Sequence, residues 1–339
     1  MVESAWIAAA AAAVGVVGTA SVAIVGFRIS RSTNQATIDA AKANTDKTIA
    51  AAHADIHSTL DATREGQFAD RYSRAIEQLG YDNLDIRLGG IYALEAIGVD
   101  SARHHPMVME VLAAFIRQHS REQWPLPVSK DADVPDRTPR PDVQAALTVI
   151  GRRDATHDQR RIDLHGADLT HADLTDATLS HADLRDADLT RADLTRADLT
   201  GADLYGADLT SALLPDAVLP DAVLTNAKLP GAVLSKAKLA RAVLMSADLS
   251  GTALTDADLT EVIFLHTNLT NAHLHGADLT GAEFSKADFT AADLTDALLL
   301  DSTSPIASRA APPGWVRDPV SGHSSGKREI LKKRQRRGP

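Results

Sequence analysis

Hydrophobic and polar positions along this chain follow three successive patterns. Residues 6–27 carry no charged side chain, residues 67–152 space their apolar side chains as helices do, and from residue 162 an apolar residue recurs at every fifth position. The first stretch, "WIAAAAAAVGVVGTASVAIVGF", has 22 residues, against the ~20 that span a bilayer as a helix. Trp6 at one interface and Arg28 and Arg31 just beyond the other predict a transmembrane anchor over 1–29. The positive-inside bias then places the C-terminal portion in the cytoplasm, as expected of a single-pass protein of the plasma membrane. The alternatives are an Ala-rich soluble helix and a cleaved signal peptide, the latter opposed by Glu3 and the lack of an early Lys or Arg. Ala11, Gly15, Thr19 and Ala23 form a small-residue face able to pair helices.

Residues 30–66 are rich in Ala, Thr, Asp and Lys, with Ile38, Ile49, Ile56 and Leu60 as thin apolar marks. This predicts a polar helical stalk with weak coiled-coil character. Helical periodicity strengthens at Phe68, Tyr72, Ile76 and Leu79, resumes after "GYDN" at Ile86, Ile91, Leu94 and Ile97, and returns at Val108, Leu112, Phe115 and Ile116. A helical module over 67–120 follows. Residues 121–161 read as a Pro-rich loop and a capping helix, which Asp142 opens and which runs to about Arg152.

The five-residue pattern suits neither regular element. On an α-helix five residues rotate by about 500°, so the leucines would spiral round every side. In a flat strand an odd spacing sends them to alternate faces. Yet 28 consecutive units, from Leu164 to Leu299, hold 25 Leu and three Phe (Phe264, Phe284, Phe289) without a slip. The residue two places earlier is Ala in 24 of the 28, departing only at Ile162, Thr252, Val262 and Thr267. A chain that turns a corner once per unit, always in the same sense, points every Leu at a common axis and needs a small residue beside it. That is a parallel β-solenoid with coils about 4.8 Å apart. Its open ends need caps; the helix near 143–152 can cover the first coil, and the Phe-containing coils the last.

The units, mostly Ala-Asp-Leu-x-x, resemble the pentapeptide-repeat family over residues 162–301. The resemblance implies a right-handed quadrilateral parallel β-helix, four units or 20 residues per coil, so that Phe264 stacks on Phe284. The fold class expected is thus mixed: transmembrane helix, small all-α module, then this solenoid. "RYSRAIEQLG" (71–80), "IRLGGIYALEAIGVDS" (86–101) and "VMEVLAAFIR" (108–117) resemble a region preceding the repeats in membrane-anchored actinobacterial members, and more loosely HEAT-type helical repeats.

Charge sharpens the picture. Residues 163–301 carry 23 acidic and 8 basic side chains, whereas 302–339, read as a disordered basic tail, carry 9 basic and 2 acidic. The end of that tail, "GKREILKKRQRRGP", invites contact with anionic lipid or nucleic acid. Within the array the acidity is interrupted: 211–245 hold 2 acidic and 4 basic residues, and the Asp before each Leu becomes Leu213, Val218, Val223, Lys228, Val233, Lys238 and Val243. With 20-residue coils, Val223, Val243 and Ile263 stack as an outward apolar ladder, Leu213 and Val233 as a second, with Val218 between. Exposed apolar patches mark partner surfaces; β-propensity alone is the alternative account of the valines.

The acidic ladders, Asp163, Asp183, Asp203 and Asp168, Asp188, Asp208, have spacing that can mimic phosphates. Some pentapeptide-repeat proteins that protect DNA gyrase from quinolones are DNA mimics of this kind. No catalytic constellation emerges. There is no Cys, the 13 His do not converge, with His165, His171 and His181 on different faces and His273 and His275 lacking a third ligand, and Gly89-Gly90 fits neither dinucleotide nor Walker spacing. The sequence therefore points to no cofactor, no metal and no enzyme. It suggests a membrane-anchored, cytoplasm-facing interaction scaffold that touches lipid through 6–27, docks an unknown protein and is able to pair with itself. The alternative is a DNA-mimic binder of gyrase or another nucleic-acid enzyme.

Overall fold

The computed structural model describes the backbone of residues 3–122, 138–299, 315–317 and 324–326, and the side chains of 34–122 and 138–299. The chain falls into two compact units, Met1–Asp70 and Arg71–Pro339.

The first unit is one continuous stretch of helix α1 (Glu3–Leu79), with no break between the expected anchor and the expected stalk. Every residue from 34 to 64 is exposed, including Ile38, Ile49, Ile56 and Leu60. Local support comes from pairs one turn apart, such as Gln35 with Asp39 and Arg64 with Asp61. Among the described residues no helix is long and apolar enough to cross a membrane. This finding corrects the single-pass plasma-membrane placement. The side chains of 6–27, on which the expected anchor and its lipid contact rested, lie outside the described residues, and from 34 to 64 α1 is exposed on every side.

The second unit begins with the last turns of α1 and continues through α2 (Leu84–Asp100), α3 (His105–His119) and α4 (Pro141–Gly151). Asn83 caps α2 by accepting from the N–H groups of Asp85 and Ile86. Ile91, Leu94, Val108, Leu112, Ile116, Leu147 and Ile150 form the module's core. Gly90 permits α2 to pass close to α1: a Cβ there would lie 2.8 Å from the Ala75 carbonyl oxygen. Asp142, fully buried, accepts from Arg87 at 2.6 Å and from Arg140 at 2.8 Å, tying α2 to the start of α4. Burial pushes its carboxyl up, but the hydrogen bonds and charges of Arg140 and Arg87 outweigh burial and hold it below the ordinary range.

From Ile162 onward the chain winds in 20-residue coils. Parallel bridges join Asp163 to Asp183, Asp168 to Asp188, and so on at every unit to Asp278 with Leu298. All are single-residue bridges rather than extended strands, because a turn intervenes every five residues. Each unit repeats one hydrogen-bond scheme: Leu184 N–H donates to the Asp203 carbonyl at 2.8 Å, Asp186 N–H to Tyr205 at 2.9 Å, and Asp203 N–H back to Ala182 at 2.9 Å. Within the turn Ala187 N–H donates to Leu184 at 3.2 Å. The third turn residue is left-handed in every unit from Gly166 to Asp296, mostly without being glycine; Arg191, for example, has φ 55°. Inter-coil bonding holds these positions against their cost of roughly 1–2 kcal/mol each.

The axis is filled as the spacing predicts, with the central Leu and the preceding Ala essentially inaccessible through most of the array. Two departures explain themselves: the buried Thr252 and Thr267 hydroxyls donate to the carbonyls of Leu229 (2.8 Å) and Leu244 (2.6 Å). Phe264 and Phe284 stack with centroids 5.4 Å apart, and Phe289 meets Phe284 edge-on.

The helical module closes the first coil by supplying donors and acceptors where a preceding coil would stand. Gln144 on α4 both receives the Asp173 N–H (3.0 Å) and donates to the Asp173 carbonyl (2.7 Å). Thr178 N–H donates to Gly151, Asp168 N–H to the Ser120 hydroxyl, and Arg121 to the Gly166 carbonyl. Side chains of the module and the Gly151 carbonyl thus stand in for the backbone of a preceding coil. Within the stretch read as a tail, β1 (Trp315–Arg317) and β2 (Ser324–Gly326) pair antiparallel; the rest of 300–339 lies outside the described residues.

Candidate interaction surface

Pairing at intervals of 20 sorts the residue before each central Leu onto four faces. The first face reads Asp163, Asp183, Asp203, Val223, Val243, Ile263, Glu283, each bridged to the next. The second carries Asp168, Asp188, Asp208 and then Lys228. Leu213 and Val233 pair on the third, continuing to Ala253, and Val218 sits on the fourth between Asp198 and Lys238. The structure therefore brings Val223, Val243 and Ile263 into one ladder and Leu213 with Val233 into another, and leaves Val218 alone. Leu213 is 41% exposed and the valines are half-buried between their neighbours.

The corner beside the first face adds residues that the ladder pattern missed. Tyr205, Met245 and Leu265 follow the central residues Leu204, Leu244 and Phe264, so they share one corner of the coils, with Thr225 between Tyr205 and Met245. Tyr205 and Met245 are exposed and Leu265 half-buried; Asn226 donates to the Tyr205 hydroxyl at 3.0 Å. The signal was present in the sequence as a second 20-residue register, one place after each Leu. The first face and its corner thus gather Val223, Val243, Met245, Ile263 and Leu265 into one apolar patch, with Tyr205 at the same corner beyond Thr225.

The acidic ladders form as expected in register but are not bare rows of charge. Arg117 pairs with Asp163 at 2.8 Å, and Arg185 grips Asp183 at 2.5 Å while reaching Asp203 at 3.7 Å. The Arg185 hydrogen bond, above all, holds the Asp183 carboxyl below its ordinary value. On the second face Lys228 lies 3.4 Å from Asp208, whose carboxyl burial pushes up and the Thr210 and Lys228 contacts pull down further. Many of these carboxylates are also spent on the fold: Asp208 accepts from Thr210 N–H at 3.0 Å and Asp183 from Arg185 N–H at 3.2 Å. Each such bond closes an Asx turn at the corner.

Among the described residues no group of three or more His, Asp or Glu side chains could hold a metal ion.

Comparison with known proteins follows the repeats. The family profile "Pentapeptide repeats" matches in eight copies over residues 162–201, 202–239, 231–264 and 264–296. Comparison with curated proteins gives no match. Among solved structures, HetL, a pentapeptide repeat protein involved in heterocyst differentiation regulation from Nostoc sp. strain PCC 7120, is 32% identical over 42% of this chain and 85% of its own, with a TM-score of 0.18. The pentapeptide repeat protein alr5209 from Nostoc PCC 7120 is 33% identical over 33% of this chain and 84% of its own, TM-score 0.14. QnrB1, a plasmid-mediated fluoroquinolone resistance protein, is 19% identical over 41% of this chain and 82% of its own, TM-score 0.29.

Proposed function

The chain belongs to the pentapeptide-repeat family, and from that premise we propose that it is a non-catalytic interaction protein whose partner docks on the middle coils of the first face. The coils wind right-handed in this reading, as in the family it resembles. The observation that carries the proposal is the Val223–Val243–Ile263 ladder, widened at its corner by Tyr205, Met245 and Leu265. None of the six side chains contributes to the axis, where Leu and Ala already fill the space, so core packing gives no reason for them. Burying half-exposed Val, Ile, Met and Leu against a partner returns roughly 25 cal/mol for each Å² of apolar surface removed from water. The DNA-mimic reading fits less well. It asks for a continuous, unneutralised acidic stripe, whereas the first face changes to apolar after Asp203 and its carboxylates are held by Arg117 and Arg185.

Val223→Asp combined with Val243→Asp tests this. Asp at these places in neighbouring coils accepts the N–H two residues on, so the substituted chain keeps its fold and its circular dichroism spectrum. Partner capture by the variant should fall to background, with wild type captured alongside and solution mass followed by light scattering. An unchanged mass together with an unchanged set of bound proteins would remove the first face from consideration.

A further inference from the structure

The apolar ladder has a charged frame. Asp203 bridges to Val223 at one end and Glu283 to Ile263 at the other. No Lys or Arg occurs on the face between them; at the corners Arg241 is held by Asp221 at 2.6 Å, and Arg185 grips Asp183 at 2.5 Å and stands 3.7 Å from Asp203. A ligand that matches this frame is apolar at its centre and basic at both ends. A second copy of the ladder does not match: two-fold pairing through Val243 sets Val223 against Ile263 but opposes Asp203 to Glu283 twice, and like charges placed opposite one another destabilise.

One segment of the chain itself has the matching pattern. Residues 327–333, "KREILKK", place Ile330 and Leu331 between Arg328 on one side and Lys332 and Lys333 on the other. In an extended chain Arg328, Ile330 and Lys332 share one side, with the two cations about 14 Å apart along the backbone and their long side chains extending that reach. The two carboxylates are four coil spacings apart, about 19 Å. The segment follows directly on β2, which ends at Gly326, and the last described residue of the array is Leu299. About 20 residues outside the hairpin connect Leu299 to Ile330, a reach of up to ~65 Å, whereas Val243 lies under three coils back, about 13 Å along the axis.

We propose that residues 327–333 dock on the first face in cis, Ile330 covering the valine ladder while Arg328 and Lys332, on the same side of the extended chain, reach Asp203 and Glu283. The proposal rests on the reading of that face as a docking surface and deepens it: an external partner displaces the chain's own tail, and high salt or loss of the tail's charge opens the site.

The absence of cysteine makes the test clean. In the full-length chain, Met245→Cys is combined with Leu331→Cys, and as a control Thr255→Cys, two faces away, is combined with Leu331→Cys. Intrachain disulfide formation, followed by non-reducing electrophoresis and mass spectrometry, should run about tenfold faster or more for the first pair, because docking raises the effective concentration of the tail thiol. The advantage should vanish at 1 M salt, where charges are screened beyond about 3 Å. Equal rates for the two pairs would overturn the proposal, and so would disulfide-linked dimers in place of monomers, which would assign the tail to a neighbouring copy. The Val223→Asp, Val243→Asp chain separates this from the broader reading. If it loses its partner while the cysteine pairs show no preference, the tail assignment alone fails; if it keeps its partner, the docking surface fails.

Discussion

Gly89 and Gly90 stand side by side in α2, and the structure gives the same substitution opposite consequences at the two positions. Alanine in a helix interior is favoured over glycine by about 0.8–1.0 kcal/mol. At Gly89, which is exposed, an added Cβ meets nothing within 4 Å, so Gly89→Ala should collect that gain in full. At Gly90 the Cβ would lie 2.8 Å from the Ala75 carbonyl oxygen, 2.9 Å from the Gln78 Cβ and 3.2 Å from the Leu79 amide nitrogen. Two of those atoms are backbone and cannot swing aside, so α2 must move off the end of α1, at an overpacking cost of about 1–3 kcal/mol. The helix-propensity gain is common to both variants, and the difference between them isolates the contact. Hydrogen exchange of the α2 amides in the full chain measures it: protection should rise in Gly89→Ala and fall in Gly90→Ala, the two separated by about 1–3 kcal/mol of opening free energy. Protection that changes equally in both would refute the close approach and the packing of the module built on it.

Three further outcomes rest on the same structure. Leu204→Lys places an ammonium at the axis, where Leu204 has no exposure, and should destabilise by several kcal/mol, while Thr210→Lys at a half-exposed corner costs little; equal melting temperatures would contradict the inward leucines. Asp142→Ala strands Arg87 and Arg140 without their shared carboxylate and should cost about 3–5 kcal/mol in urea denaturation, with Asp142→Asn milder because it still accepts hydrogen bonds. Asp142, Asp176 and Asp221 all have carboxyls held below the ordinary range, so their stabilisation is present above the unfolded value near 3.8 and is lost as pH falls through the lower folded values. Melting temperature should accordingly be flat from pH 8 to about 5 and drop steeply below 4; a drop already complete at pH 6 would implicate histidine instead.

The array was legible because its rule is local and repeated: one Leu per five residues fixes which side chains face the axis, and Ala beside it fixes how tightly the coil closes. The pairing at 20 and the stack of Phe264 on Phe284 follow from that rule and four units per coil. What escaped the sequence were contacts between distant segments. Nothing in the spacing of Gln144 announces that its amide completes Asp173, and nothing around Asp142 shows that it is the buried partner of Arg87 rather than a helix cap. Tyr205, Met245 and Leu265 escaped for another reason, since corner positions vary freely and their common register shows only once coils are stacked. Residues 6–27 were read from an uncharged stretch of bilayer length flanked by Trp6, Arg28 and Arg31, and that pattern does not by itself distinguish a membrane span from the opening of a long helix that turns polar downstream.

The most direct measurement is site-specific photocrosslinking in the cells that make the protein, with a photoreactive residue in place of Met245 in one chain and of Thr255 in another. Docking on the first face predicts a discrete adduct with a second polypeptide from position 245, lost when Val223→Asp and Val243→Asp are added, and none from position 255. The same adducts from both positions, or an adduct from 245 that survives the two aspartates, would contradict it.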